Sequence, residues 1–221
     1  MSVISALVPT TRRPGRLDVV VDGSFLATLS FDAIERLHLA VGIEVDGVMN
    51  AIAAEAAQLA VYDRALNMLA FRARSASELA RLLVRKGAER ADVDRAIARL
   101  HVQGLLDDAS FAQAFTRAKV QGANMSRRRV QQELVHKGVA RDIAEAAISA
   151  VFEAEGIDQR ELVQAAALKK AASLARLDPV VRRRRLYAFL ARRGYDVDDI
   201  RHAMQMVGEQ LAAAEDAGAD G

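Results

Sequence analysis

The feature that most constrains this chain is a base followed by glycine, recurring three times inside matching apolar frames: Lys86-Gly87, Lys137-Gly138 and Arg193-Gly194. Leu83, Leu134 or Leu190 stands four residues before each glycine, and Leu79, Val130 or Leu186 eight before. Ile97, Ile148 and Met204 come ten residues after, and Leu100, Val151 and Val207 thirteen after. Apolar residues four apart line one face of a helix. A base then glycine is how such a helix ends: the glycine takes the left-handed conformation and the cation meets the negative pole of the dipole. The anchors lie 51 and 56 residues apart, so length variation is confined to the rest of each unit.

Helix starts are marked as well. Ser75-x-x-Glu78 is a capping-box pattern, Ser126 caps the second unit, and Asp178-Pro179 puts proline at a first helical position. Asp92 and Asp142 are expected to start the last helix of their units. A further helix precedes each pair: Tyr62–Arg72 with Leu66, Leu69 and Ala70; Phe111–Lys119 with Phe115 and Ala118; Glu161–Leu174 with Leu168 and Ala172. Three helices per unit, each with a narrow apolar face, are the mark of a tandem array. The fold expected is therefore mainly α: three three-helix repeats over residues 62–110, 111–156 and 157–211. A small α/β module with a β-hairpin (1–61) precedes them, and a tail (212–221) without apolar periodicity is expected to fray.

In the N-terminal module, Leu17–Val21 and Ser24–Leu29 flank Asp22-Gly23, a strong hairpin signal. Ser30 reads as the N-cap of a helix running to about Leu39, with Asp32 and Glu35 in its first turns and Gly42 closing it. A second helix is expected from near Asp46 toward Phe71. Tyr62, Phe71, Phe111, Phe115, Phe152 and Phe189 fall at core spacings and read as packing residues.

Composition narrows function. Residues 1–61 carry 4 Lys/Arg against 7 Asp/Glu, a balance of −3, and residues 62–221 carry 27 against 22, a balance of +5. Basic character thus sits in the helical part and suits an anionic partner, although a solvated helix face would read the same way. With no cysteine, disulfides and thiolate metal sites are excluded. His38, His101, His136 and His202 show no metal-ligand spacing, and Asp107-Asp108 reads as a helix cap rather than an acidic site. No phosphate loop, nucleophile elbow or nucleotide motif is present, so no enzymatic activity and no cofactor are expected. Ten aromatics without tryptophan argue against a base-stacking platform. No apolar stretch reaches the ~18 residues of a membrane span, and no signal-peptide pattern opens the chain, so a cytoplasmic protein without membrane partners is expected.

Gly104-Leu105-Leu106-Asp107-Asp108, Phe111, Phe115, Arg117 and the run Arg128 through Val139 closely resemble the central repeat of the RecX family. Tyr62 to Leu66 with Ser75, Glu78 and Leu79 is similar to that family's first repeat. Phe189 to Tyr195 with Asp199-Ile200 is similar to its third. Residues 12–45 resemble the extra module of longer members. Asn124-Met125-Ser126 replaces the family's usual Gly-Pro turn, with Ser126 able to supply the cap.

The resemblance implies a modulator of the RecA recombinase that performs no chemistry of its own. Such a protein lies in the helical groove of the RecA filament on single-stranded DNA. It limits filament growth, ATP turnover, strand exchange and co-protease activity in DNA repair, recombination and the SOS response. A monomer is expected.

The candidate partner-binding residues are Arg72, Arg74, Arg81, Arg85 and Lys86 in the first unit and Arg127, Arg128, Arg129 and Lys137 in the second. Those of the third are Arg182, Arg183, Arg184, Arg185, Arg192 and Arg193. Arginine suits bidentate grip on carboxylate or phosphate. Capping alone could account for Lys86, Lys137 and Arg193. Consecutive bases point around most of a helix, so a whole run cannot face one partner. The alternative reading is a direct DNA binder built of helix-turn-helix-like units; the mixing of acids among the bases weighs against it.

Overall fold

The computed structural model describes residues 2–11 and 13–219, with backbone alone over 211–219. It is mainly helical, with ten helices and one three-stranded antiparallel sheet of order β1-β2-β3 among the described residues. The chain divides into two compact units. The first comprises Met1–Arg74 and Glu78–Leu106; the second comprises Ser75–Ser77 and Asp107–Gly221.

In the first unit, β1 (Ile4–Pro9), β2 (Arg16–Val21) and β3 (Ser24–Ser30) form the sheet. The β2–β3 turn is the expected Asp22-Gly23, both at positive φ (48° and 83°) as a two-residue hairpin of matching twist requires. β1 adds a third strand to the expected hairpin. Its sequence hides it, because Ser5 and Ala6 interrupt the β-branched signal and a register shift between Ile4 and Ala6 breaks the alternation. Ser30 caps α1 (Phe31–Arg36), accepting from Ala33 N–H at 3.2 Å. That helix is shorter than expected: it closes at Leu37, with His38 rather than Gly42 taking the left-handed position (φ 52°).

The second helix, α2 (Met49–Phe71), begins three residues later than expected, since Val48 precedes it without a side-chain cap. It is continuous, so residues 61 and 62 lie in mid-helix. Ile4, Val19, Leu29, Ile34, Val45 and Ile52 close a core between sheet, α1 and the start of α2. Asp63 on α2 forms ion pairs with both Arg13 and Arg16 of the β1–β2 segment. Further along, α2 packs along α4 (Arg90–Val102), and Tyr62 of α2, Leu79 and Leu83 of α3 (Ala76–Arg85), and Val93, Ala96 and Leu100 of α4 are buried. Phe71 is not a packing residue: it is 84% exposed. The buried stripe of Tyr62 and Ala65 continues at Leu69, and two residues beyond that point to roughly the opposite face.

The second unit holds two successive three-helix bundles. α5 (Asp108–Ala123), α6 (Arg127–His136) and α7 (Arg141–Ala154) enclose Phe111, Ala112, Val120, Val130, Leu134, Ile148 and Phe152. α8 (Gln159–Ser173), α9 (Pro179–Arg192) and α10 (Val197–Ala219) enclose Val163, Ala167, Ala171, Leu186, Leu190, Ile200 and Val207. Leu162 packs against both clusters and joins them.

Asp107 and Asp178 cap α5 and α9 as expected, each accepting from a backbone N–H two residues on at 2.9 Å. Asp92 and Asp142 do not start α4 and α7. They sit in the first turns, two and one residues inside helices that open at Arg90 and Arg141. The phase of the leading helices also differs, with Ala70, Ala118, Leu168 and Ala172 exposed. In alanine-rich helices small residues occupy every face, so their spacing does not fix which face is buried. α10 runs through Ala219, covering most of the stretch expected to fray; residues 220 and 221 lie outside the described residues.

Candidate partner-binding surface

The repeated base-glycine pair closes each middle helix by one geometry. Lys137 and Arg193 are the last right-handed residues, and Gly87, Gly138 and Gly194 follow at φ 83°, 84° and 86°. At α6 the Gly138 N–H donates to the Val135 carbonyl at 2.9 Å and the Val139 N–H to the Leu134 carbonyl at 3.1 Å. This Schellman pair folds buried Val139 back onto buried Leu134.

The glycine has a second task that the sequence does not reveal. A Cβ on Gly194 would lie 2.6 Å from Arg129 Cβ and 2.7 Å from Ser126 Oγ. The start of α6 therefore lies directly on the α9 turn. Ser126 N–H donates to the Arg193 carbonyl at 3.1 Å, while Ser126 Oγ, on a buried side chain, accepts from Arg129 N–H at 3.2 Å. The buried Tyr195 completes the joint, its hydroxyl donating to the Asn124 carbonyl at 2.8 Å. Burial pushes the Tyr195 phenol well above its ordinary range, outweighing the opposing field of Arg193. So Asn124-Met125-Ser126 is the segment that receives the third repeat.

Gly138 is approached in the same manner by Ser77, while Ser75 Oγ donates to the Lys137 carbonyl at 2.6 Å. Ala76 N–H donates to Asp108 Oδ1 at 2.8 Å. Buried Ser75 and Ser126 thus bind successive base-glycine turns through different atoms.

The structure sorts the candidate bases by what already holds them. On the first unit Arg72 and Arg74 both pair with Glu78; Arg74, at 12% exposure, also donates through Nε to the Met68 carbonyl. Glu78, expected in a capping box, therefore gathers two arginines. Arg81, Arg85 and Lys86 are exposed on α3 and its cap.

On α6 the three consecutive arginines diverge. Arg127 lies over the Phe152 ring at 4.2 Å, and Arg129 turns to Glu133 at 3.2 Å and to Gly194. Arg128 is exposed to solvent. Lys137 and Lys119 stand 5.4 and 5.1 Å from the Phe115 ring centroid. On α9 Arg182 shares the stripe of Leu186 and is half-buried; Arg183, Arg184 and Arg185 are exposed, as is Arg192. Arg193 lies over Phe189 at 4.4 Å. None of Arg182 to Arg185 has a carboxylate partner among the described residues.

The two helices with these runs break a rule that most of the others keep. α1, α3, α4, α5, α7, α8 and α10 carry an acid in the first turn; α6 and α9 carry none. α6 opens on three cations against the positive pole, each costing roughly 0.3–1 kcal/mol when exposed. At Arg128, exposed and without an ion-pair partner among the described residues, folding does not require that charge. Among the described residues there is no cluster of metal-ligating side chains, and no helix is long and apolar enough to cross a membrane.

Small three-helix units with serine-lined helix starts and base-glycine turns define a tandem helical repeat protein that displays arginines on its middle helices. The comparisons with known proteins agree. The first, second and third three-helix domains of RecX match residues 62–100, 107–148 and 158–204. The regulatory protein RecX of Chlorobaculum tepidum is 34% identical over 69% of this chain and 92% of its own length. That of Levilactobacillus brevis is 28% identical over 90% of this chain and 73% of its own. A crystal structure of regulatory protein RecX superposes with a TM-score of 0.72 at 21% identity, covering 95% of this chain and all of the other. The chain belongs to the RecX family of regulatory proteins.

Proposed function

We propose that the chain binds the RecA filament on single-stranded DNA, as a monomer in the cytoplasm, and restrains recombinase, ATPase and co-protease activity without chemistry of its own. The observation that carries this reading is the placement of three cations at the start of α6, where the helix dipole disfavours them, in a regulatory-family protein. Modules over 62–110, 111–156 and 157–211 would each present one basic helix. Weak contacts from several modules add through effective concentration. Of the candidate bases on α6 and α9, Arg128, Arg183, Arg184, Arg185 and Arg192 are exposed with no ion-pair or ring partner among the described residues, and they are assigned to contact. Arg72, Arg74 and Arg129 are assigned to holding the fold.

The test measures binding to RecA alone, to single-stranded DNA alone, and to RecA assembled on that DNA with a nucleotide. Preference for the assembled filament is expected. Tight binding to bare DNA with indifference to RecA overturns the reading in favour of direct DNA binding. Reversing the charge of Arg128, which is exposed, is expected to weaken ATPase inhibition by about tenfold or more without loss of helicity, the worth of one charge-assisted hydrogen bond.

A further inference from the structure

Beside the joint between the second and third bundles lies a cavity of about 260 Å³. Lys169 and Lys170 of α8, Arg193 and Phe189 of α9, and Asn124 after α5 line it. Three cations converge on this space and no carboxylate lines it. None of the three has an ion-pair partner among the described residues. Arg193 Nη1 is buried with no hydrogen-bond partner among the described residues. A buried guanidinium nitrogen left unsatisfied costs free energy that folded proteins ordinarily avoid, so its position calls for an acceptor.

Two simpler accounts fall short. Capping would have the Arg193 guanidinium donate to the last α9 carbonyls, and Nη1 makes no such bond. Helix-dipole complementarity is the other, since Gly122 and Ala123 at the end of α5 also line the space. That pole supplies only about half a negative charge, against three full positive ones.

We infer that this cavity is an anion site for a phosphate group, gripped by Arg193 with Lys169 and Lys170 around it. Three converging cations match a tetrahedral oxyanion of more than one charge better than a single carboxylate, and the arginine fork suits its paired oxygens. A nucleobase is disfavoured as occupant, because the Phe189 ring is already engaged by Arg193 at 4.4 Å and Lys170 at 5.5 Å. The group could belong to a free phosphate or to a nucleic-acid strand; the chemistry is the same. The site stands independently of RecA binding.

The test is a titration of the full chain, ¹⁵N-labelled, with inorganic phosphate, pyrophosphate, a short oligothymidylate and acetate at constant ionic strength. Saturable amide shifts at Gly122, Ala123 and Asn124 are expected with phosphate groups. Saturation by the free anions identifies a free-phosphate site, and saturation by the oligonucleotide alone identifies a strand phosphate. Lys169→Gln together with Lys170→Gln should weaken the response about tenfold or more, as removal of one charge-assisted hydrogen bond does. Arg193→Gln, with helicity checked, should do the same. Shifts that never saturate, equal shifts with acetate, or variants that titrate like the parent each overturn the proposal.

Discussion

Substituting Gly194 by alanine tests the joint between repeats directly, because two separable costs meet at that residue. The first is conformational: at φ 86° an L side chain is strained by roughly 1–2 kcal/mol. The second is steric. The new methyl would stand 2.6 Å from Arg129 Cβ, 2.7 Å from Ser126 Oγ and 3.1 Å from Arg129 N, whereas carbon contacts are favourable only near ~3.5–4.0 Å. Overpacking of this kind costs about 1–3 kcal/mol, and the Ser126 cap and the Ser126-to-Arg193 hydrogen bond would shift with it. The expected total is about 2–5 kcal/mol.

Gly156 supplies the control within the same unit. It too has positive φ, 59°, but a Cβ there meets nothing within 4 Å, so Gly156→Ala should cost only the conformational ~1–2 kcal/mol. Urea denaturation followed by far-ultraviolet circular dichroism gives both values. Hydrogen exchange at residues 124–129 should accelerate in the Gly194 variant alone. Equal destabilisation by the two substitutions would refute the claim that the repeated glycine serves the joint as well as the cap.

Two further outcomes follow from the joint and its neighbouring arginines. Tyr195, its phenol pushed up by burial, stays protonated in the fold at pH values where the unfolded chain ionises. Its contribution is complete below about pH 10 and declines as pH rises above that. Tyr195→Phe should flatten this alkaline fall, and an unchanged slope would remove Tyr195 as its source. Arg128→Glu, at an exposed position in the first turn of α6, exchanges a repelled charge for a favoured one. It should raise stability by about 1 kcal/mol, or a few degrees in Tm, while weakening partner binding. A lower Tm would mean that Arg128 is held by the fold.

The parts legible from sequence were those written in local chemistry. Asp22-Gly23 specified its turn, Ser30, Ser126, Asp107 and Asp178 specified their caps, and the three glycines specified helix ends. Their geometry depends on a few neighbouring residues. The facing of the alanine-rich helices was not legible, since alanine satisfies core and surface alike; hence Phe71 and Leu168 emerged exposed. β1 was hidden by Ser5 and Ala6. Among candidate bases, the sequence marked the arginine runs but not their sorting, which depends on partners such as Glu78, Phe152 and Glu133. Lys169 and Lys170 carried no signal at all, because their significance comes from a residue 24 and 23 positions away, Arg193, across a cavity.

The joint also bears on which bases can carry function. A helix start seated on a base-glycine turn constrains the turn's backbone, since Ser75 and Ser126 contact the carbonyls of Lys137 and Arg193 rather than their charges. The recurrence of the glycine is thus explained by capping and packing, and that of the cation beside it by the helix dipole, which favours its charge but does not decide what its side chain touches. Arg193 places its side chain over Phe189 and the cavity, Lys137 over Phe115, and Lys86 stands exposed at α3, where Gly87 meets no neighbour. One backbone motif therefore receives a serine-bearing helix start at the same spot, at Gly138 and again at Gly194, and leaves the adjacent side chain to a different task in each repeat. In such an array specificity is expected to follow from what surrounds each turn. Substitutions in Lys169, Lys170 or Arg128 should accordingly alter binding without loosening the repeats, whereas substitutions at Gly138 or Gly194 should loosen the joints themselves.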